Sequence, residues 1–349
     1  MGQGKVLESL LLPAGWIYGC VTWCRNRLFD SGILRSRSFP VPVISVGNIT
    51  VGGTGKTPHT EYLIDILKDN FRLAVLSRGY GRRTKGYILA GSSSDARQIG
   101  DEPMQIHSEY PDIAVAVCED RCKGIECLMS DVAPQVIILD DAFQHRKVVP
   151  SLNILLVDWN RNIMNDRLLP SGRLREPVSG RRRADMVIVT KCPPGLDDKM
   201  MDSFRKSLKL DDCRPLFFSR LVYGNPYAFA GSSQVTLKKG MPVLMVTGIA
   251  RPEMLRDELE RSGLIVRMLT FPDHHAYTMS DIAMISETVE SMPDDAVIVT
   301  TRKDQSRLQG MDIPGSLASR IVVMPVSVEI ENDGERFQNL IESHVRNMK

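Results

Sequence analysis

Several protein classes are excluded by what this sequence has little of. Its seven cysteines are odd in number and thinly spread, unlike the dense, even framework of a small secreted domain, so a reducing compartment is expected. Cys20 and Cys24 lie one helical turn apart and Cys118, Cys122 and Cys127 cluster mid-chain, yet the CxxC pairing of a structural zinc site is missing. There is no Gly/Pro period, internal repeat, low-complexity tract or long block of like charge, which rules out collagen-like and wholly disordered chains. Neither sign of charge prevails: 44 Lys+Arg against 42 Asp+Glu leave +2. That balance does not support binding through a whole-molecule basic field, so no nucleic-acid partner is expected, and nothing points to a protein partner.

Long apolar runs are also scarce. The best stretch, Val6 to Cys24, carries only Glu8 as a charged side chain but is interrupted by Pro13, Gly15 and Gly19, and a spanning helix needs about 20 apolar residues. A thin basic start and the lack of a small-residue cleavage site argue against a signal peptide. Read as a helix, Leu7, Leu11, Ala14, Tyr18, Val21 and Leu28 fall near one face, with Trp16, Trp23, Arg25 and Arg27 where interfacial helices carry such residues. This predicts an amphipathic, surface-lying membrane helix within residues 1–35; the alternative is a helix packed on the protein's own core.

What remains is an ordinary globular composition, 43% hydrophobic and 25% charged, and at about 150 residues per domain the length suggests two. Short β-branched runs at Val41–Val46, Leu73–Leu76, Ile113–Val117, Val136–Leu139, Ile154–Val157 and Met186–Val189 alternate with helical patterns. They predict an α/β fold of P-loop NTPase type, a parallel sheet with helices on both faces, over 36–220. A second set, Val243–Val246, Leu264–Leu269, Val297–Val299 and Ile321–Val323, predicts a smaller carboxy-terminal α/β domain over 221–349, after a Gly/Pro/Asn/Ser-rich seam near 210–235.

The strongest motif is Thr50-Val51-Gly52-Gly53-Thr54-Gly55-Lys56-Thr57, a P-loop whose first glycine is replaced by threonine. Glycines let successive backbone N–H groups turn toward phosphate oxygens, the lysine reaches the outer phosphates, and the hydroxyl of Thr57 suits Mg²⁺. Val136 to Leu139 then leads into Asp140 and Asp141, the way a Walker B strand places carboxylate near the metal; the sequence leaves open which aspartate binds directly. Val51 stands where partitioning ATPases carry a signature lysine, and Thr190-Lys191-Cys192-Pro193 lacks the residues of a guanine-reading motif, so ATP is the expected nucleotide.

Taken together, the motifs resemble one family, the tetraacyldisaccharide 4′-kinases. The resemblance spans nearly the whole chain and rests on residues 47–58, Ser77-Arg78-Gly79-Tyr80-Gly81-Arg82, Gly100-Asp101-Glu102-Pro103, residues 140–146, Leu174-Arg175-Glu176-Pro177 and Phe271-Pro272-Asp273-His274-His275. One departure is Ala142, where the family string usually has glycine. The resemblance implies Mg²⁺- and ATP-dependent phosphorylation of the 4′ hydroxyl of a tetraacyl disaccharide 1-phosphate, a lipid A precursor, at the cytoplasmic face of the bacterial inner membrane. It implies Asp101 as base with His274 as its partner, and Tyr80, Arg121, Gln144, His145 and Glu176 along the nucleotide or headgroup cleft. Arg173, Arg175, Arg181, Arg182 and Arg183 are candidates for contact with phosphate or anionic lipid. Without the family strings, Asp101 could cap a helix and His274 could be a loop histidine. The competing functional class is a membrane-bound P-loop switch that hydrolyses nucleotide without an acceptor.

Overall fold

The computed structural model describes residues 11–231 and 233–348. Fourteen strands fall in two sheets among these residues. The larger contains β1 (Val43–Gly47), β2 (Leu73–Ser77), β3 (Ile88–Leu89), β4 (Ala114–Val117), β5 (Val136–Asp140), β6 (Leu152–Asp158), β7 (Met186–Thr190), β8 (Leu216–Tyr223) and β14 (Val326–Ile330). The smaller contains β9 (Tyr227–Ala228), β10 (Pro242–Thr247), β11 (Ile265–Thr270), β12 (Val297–Thr301) and β13 (Ile321–Met324).

The large sheet runs β14-β8-β7-β6-β1-β5-β2-β4-β3, parallel except for antiparallel β14 and β3 at its edges. Every residue of β1, β2, β5, β6 and β7 is buried, as expected of parallel strands covered on both faces. Successive side chains serve opposite layers. Ile44 and Val46 join Leu63, Ile64, Phe337 and Ile341 from helices Lys56–Leu67 and Gly334–Asn347. Val43, Ile137 and Leu139 instead pack with Ile125 and Leu128 of helix Arg121–Asp131.

The small sheet, β11-β10-β12-β13-β9, is parallel except for β9. Its β10, β11, β12 and β13 fall on the second set of apolar runs. The chain does not end there. It returns through β14, which pairs with β8 (Val326 opposite Tyr223), and closes with helix Gly334–Asn347, whose Phe337, Ile341 and Val345 are fully buried against the large sheet. Burying side chains of this kind is worth about 2 kcal/mol each. Residues 326–347 therefore pack with the large sheet, whereas the expected split at about 220 assigns them to the small unit.

The amino-terminal helix, Leu12–Asp30, is not long and apolar enough to cross a membrane, nor is any other helix of the described residues. Leu7 lies outside them. The face against the protein is the small and polar one: a Cβ on Gly15 would sit 2.7 Å from Ser171 Oγ and one on Gly19 2.8 Å from Leu168 Cδ1. Tyr18, grouped by sequence with the apolar stripe, instead points inward and donates to the Arg175 carbonyl at 2.7 Å. Its hydroxyl has a partner there, which explains the difference. Trp16, Ile17, Val21, Trp23 and Leu28 are exposed, Trp16 to 75%.

Candidate active site

The P-loop connects β1 to helix Lys56–Leu67 at the carboxyl end of the parallel strands, the crevice where open α/β sheets bind ligands. Its backbone turns at Gly52 (φ 102°) and at Gly55 (φ 86°), the residue preceding the helix, a region closed to most side chains. The loop is latched from three sides. Val51 N donates to the Arg173 carbonyl and Arg175 N to the Ile49 carbonyl, both at 2.8 Å, and Thr50 bridges to Leu174. Thr54 accepts from Asn48 Nδ2 at 2.6 Å through its hydroxyl and from the Thr190 hydroxyl at 2.9 Å through its carbonyl. Lys191, just past β7, donates to the Gly53 carbonyl and pairs with buried Asp158 at 3.1 Å. Lys191 enters the sequence reading only within the string that lacks a guanine-reading motif and Asp158 not at all, although both sit at or just beyond the carboxyl ends of adjacent strands.

The two acids after the Walker B strand part company. Asp140 is fully buried; its Oδ1 accepts from Thr60 at 3.2 Å and its Oδ2 has no hydrogen-bond partner among the described residues. Burial, with the Glu102 and Asp141 charges nearby, pushes its carboxyl well above the usual range. Asp141 (φ 48°) turns the other way, taking Arg175 NH1 on both oxygens at 2.9 and 3.0 Å and lying 3.6 Å from Lys56 Nζ. An orphaned, buried carboxylate oxygen and the P-loop hydroxyl of Thr57 form a donor set that fits Mg²⁺, which commonly takes one or two carboxylates and completes its shell with water and phosphate. Among the described residues no cluster of three or more His, Cys, Asp or Glu side chains could hold a metal on its own.

A cleft of about 460 Å³ opens over this loop, bounded by the P-loop on one side and Ile249, Arg251, Asp273 and Lys303 of the small unit on the other. Glu102 and Asp273, the chain neighbours of Asp101 and His274, line it. Asp101 begins helix Asp101–Glu109 on the large unit; His274 lies in the loop after β11 with φ 61°. They meet across the seam, His274 Nδ1 being 3.3 Å from Asp101 Oδ2. Lys303 Nζ lies 3.3 Å from His274 Nε2 and Arg307 NH2 3.4 Å from His274 Nδ1; a hydrogen bond from His274 to the Asp101 carboxylate needs the ring proton on Nδ1. Arg307 reaches the same Oδ2 through Nε at 2.9 Å and NH2 at 2.8 Å. Partial burial pushes the Asp101 carboxyl up, but the bonds from His274 and Arg307 outweigh it and hold it below its ordinary value. Neither Arg307 nor Lys303 stands in a string that marks it in the sequence.

The other candidates divide. Tyr80 is 74% exposed and its ring centroid lies 5.9 Å from that of His274, within reach of the seam. Arg173 borders the cleft. Arg121 is buried behind the acids, donating to the carbonyls of Cys118 at 2.7 Å and Asp140 at 3.5 Å, and burial lowers it to about 10. Its backbone N donates to His145 Nε2 at 3.3 Å, and burial brings that imidazole down to about 4. Glu176 is 3% exposed and accepts from Arg183 NH2 at 2.8 Å, from Gln144 Nε2 at 3.1 Å and from Asn26 of the amino-terminal helix at 3.3 Å. Gln144 also donates to the Asn48 carbonyl. These four side chains brace the loops beneath the P-loop and the first helix. Arg181 is spent on the Leu208 and Val178 carbonyls.

A buried pair missed by sequence reading ties the P-loop helix to the small unit. Glu61 accepts from Gln105 at 2.7 Å and lies 3.7 Å from Arg302, which also holds Glu109 at 2.8 Å. Burial pushes the Glu61 carboxyl from its ordinary 4.5 to about 7, against the pull of Arg302. Between those values the folded chain keeps a proton that the unfolded chain has released, so Glu61 subtracts stability progressively as pH rises through that window. Glu61→Gln is expected to raise Tm relative to the parent by several degrees more at pH 8 than at pH 5. Calorimetry at the two pH values checks it; an identical Tm difference at both would contradict the shifted carboxyl.

Comparison with known proteins agrees with this geometry. Residues 7–346 match the family model described as tetraacyldisaccharide-1-P 4′-kinase. The tetraacyldisaccharide 4′-kinase of Bacteroides fragilis is 48% identical, over 97% of this chain and 94% of that one. That of Flavobacterium johnsoniae is 39% identical, over 98% of each. The crystal structure of the Aquifex aeolicus enzyme in complex with ATP superposes with a TM-score of 0.76 at 31% identity, covering 97% of this chain and 99% of that one. With a family match over nearly its whole length and full-length relatives above 40% identity, the chain belongs to the tetraacyldisaccharide 4′-kinase family.

Proposed function

We propose that this chain moves the γ-phosphoryl group of ATP to the 4′ hydroxyl of tetraacyl disaccharide 1-phosphate, the lipid A precursor that its family name specifies, working at the cytoplasmic face of the inner membrane. The observation that carries the reading is the Asp101–His274 contact at the edge of the P-loop cleft, a base next to a phosphate cradle. ATP is the nucleotide in the complex of the Aquifex aeolicus relative.

Phosphoryl transfer asks a protein mainly to hold an in-line arrangement and offset charge. The P-loop amides of residues 50–57 and Lys56 hold the phosphates. Thr57 and Asp140 would hold Mg²⁺, which supplies further charge neutralisation on the phosphate oxygens. Asp141, clamped by Arg175, keeps the Lys56 ammonium in place. The acceptor oxygen attacks the γ-phosphorus as the bond to the β-bridging oxygen breaks, and the hydroxyl proton passes to Asp101. Its contacts with His274 and Arg307 all fall on Oδ2, leaving Oδ1 to accept from the sugar. A carboxyl held low is ionised at neutral pH, and a weak base suffices where the transition state is loose. Tyr80 offers its exposed ring to the headgroup.

The outward face of the first helix, Trp16, Ile17, Val21 and Trp23, with Arg25 and Arg27 beside it, suits the lipid interface. Because these side chains meet solvent, replacing the four with serine is expected to leave Tm unchanged while weakening binding to anionic vesicles by about 100-fold or more. Vesicle sedimentation checks this, and full retention of the variant on vesicles would assign the anchor elsewhere.

The reaction is tested by incubating the purified chain with Mg-ATP and detergent-dispersed tetraacyl disaccharide 1-phosphate, then locating one added phosphoryl group by mass spectrometry. Addition at the 4′ oxygen with stoichiometric ADP is the expected outcome. ADP formed at full rate without acceptor would support the nucleotide switch instead.

A further inference from the structure

We propose that Arg307 is the positioning residue that aims Asp101 at the acceptor hydroxyl, and that it does so by referring the carboxylate to a fixed point inside the small unit. The inference rests on Asp101 serving as the base.

Arg307 is a side chain with no slack. It is 4% exposed, and all three guanidinium nitrogens are committed: Nε and NH2 to Asp101 Oδ2, and NH1 to the Gly248 carbonyl and Asp304 Oδ1, both at 3.0 Å. Asp304, one turn earlier on helix Arg302–Leu308, is fully buried. It accepts from Thr247 at 2.9 Å, Thr301 at 2.8 Å, Tyr277 at 3.2 Å and Gly248 N at 3.1 Å. Four donors other than Arg307 thus fix one carboxylate, the carboxylate fixes the guanidinium plane, and the plane fixes Asp101 Oδ2. A planar fork locates an acceptor in direction as well as distance.

His274 is a poorer locator. Its side chain is 38% exposed, its bond to Asp101 is longer at 3.3 Å, and its other nitrogen faces Lys303. The charged groups around Asp101 are Arg307, His274 and, beyond the ring, Lys303 and Asp273 from the small unit, Asp304 behind Arg307, and Glu102 on its own helix. Arg307 is the cation in direct contact, so its removal has two separable effects: the carboxylate loses its aim, and its proton affinity rises.

The test uses the full chain with ATP and dispersed acceptor. Arg307→Ala is expected to lower kcat by about 100-fold, the scale set by misplacing a reacting group by about 1 Å, with KM for ATP nearly unchanged. The acid limb of its kcat profile should move to higher pH, and millimolar guanidinium should restore part of the rate. Arg307→Lys keeps the charge but not the fork: its acid limb should stay in place while kcat falls less, which keeps the proposal testable if the alanine variant folds poorly. Asp101→Asn is measured alongside. If that variant is as fast as the parent, the base assignment itself fails. If it is slow while Arg307→Ala keeps the parental kcat and acid limb, only the positioning role is overturned. Losses in both Arg307 variants that track Tm, with no limb shift and no guanidinium rescue, would likewise reduce the residue to a structural tie.

Discussion

Lys56→Ala is expected to lose about 1000-fold or more in kcat/KM, roughly 4 kcal/mol of transition-state stabilisation, the scale on which single preorganised charge-stabilising donors count. The lysine is the P-loop's own cation, its side chain only 11% exposed and 3.6 Å from Asp141. The fold tolerates its loss, because Asp141 keeps both bonds from Arg175 and is not left as an unpaired charge. Tm should therefore stay close to the parental value while turnover collapses. A rate within tenfold of the parent would show that the outer phosphates are held by other cations of the cleft, Arg161, Arg251 or Lys303.

Asp101→Asn is expected to cost about 100- to 1000-fold in kcat, within the range for a positioned base, with little change in KM for ATP, since none of the Asp101 contacts involves the phosphate loop. Asparagine is the cleaner substitution. Alanine would leave Nε and NH2 of the nearly buried Arg307 with no side chain at position 101 to accept from them, only NH1 keeping Asp304 and Gly248, and a buried donor left unsatisfied costs about 1–3 kcal/mol; the amide oxygen of asparagine can still accept. His274→Ala should slow the enzyme less, by about tenfold to 100-fold, since Arg307 still holds Oδ2. Combining the two should cost less than the product of the separate losses, because the side chains meet at 3.3 Å and act on one proton. A strictly multiplicative loss in the double variant, or near-parental turnover in both single variants, would remove the dyad from the mechanism.

Local elements were legible because their signals are contiguous. A β-branched run, a glycine turn and a helix start within residues 43–67 identify the P-loop, and an apolar run ending in Asp140 identifies the second acid strand. Alternating apolar runs placed six strands of the large sheet and four of the small one. The pairing of Asp101 with His274 came from family strings, not spacing, since 173 residues separate them. Arg307 stands 206 residues from Asp101 and carries no local mark, being one basic residue on a short polar helix. Strands β8 and β14 escaped notice because their hydrophobic pattern is diluted: β8 is buried only over its first half, and β14, at the sheet edge, only at Val328. The first helix misleads for the opposite reason: hydrophobicity marks its outward face, while two glycines and a tyrosine hydroxyl mark the face that packs.

The paired strands β8 and β14 have a mechanical consequence. The chain leaves the large sheet after Tyr223 and re-enters it at Val326, and those two residues stand opposite each other in the ladder, extended by one further bond from Gly224 N to the Pro325 carbonyl. The small unit hangs from both of its ends at a single point, like a door on one pin rather than a bridge between two piers. What sets the angle at which the unit stands on that pin is side-chain contact, that of Arg307 with Asp101 and of Arg302 with Glu61 and Glu109 among them.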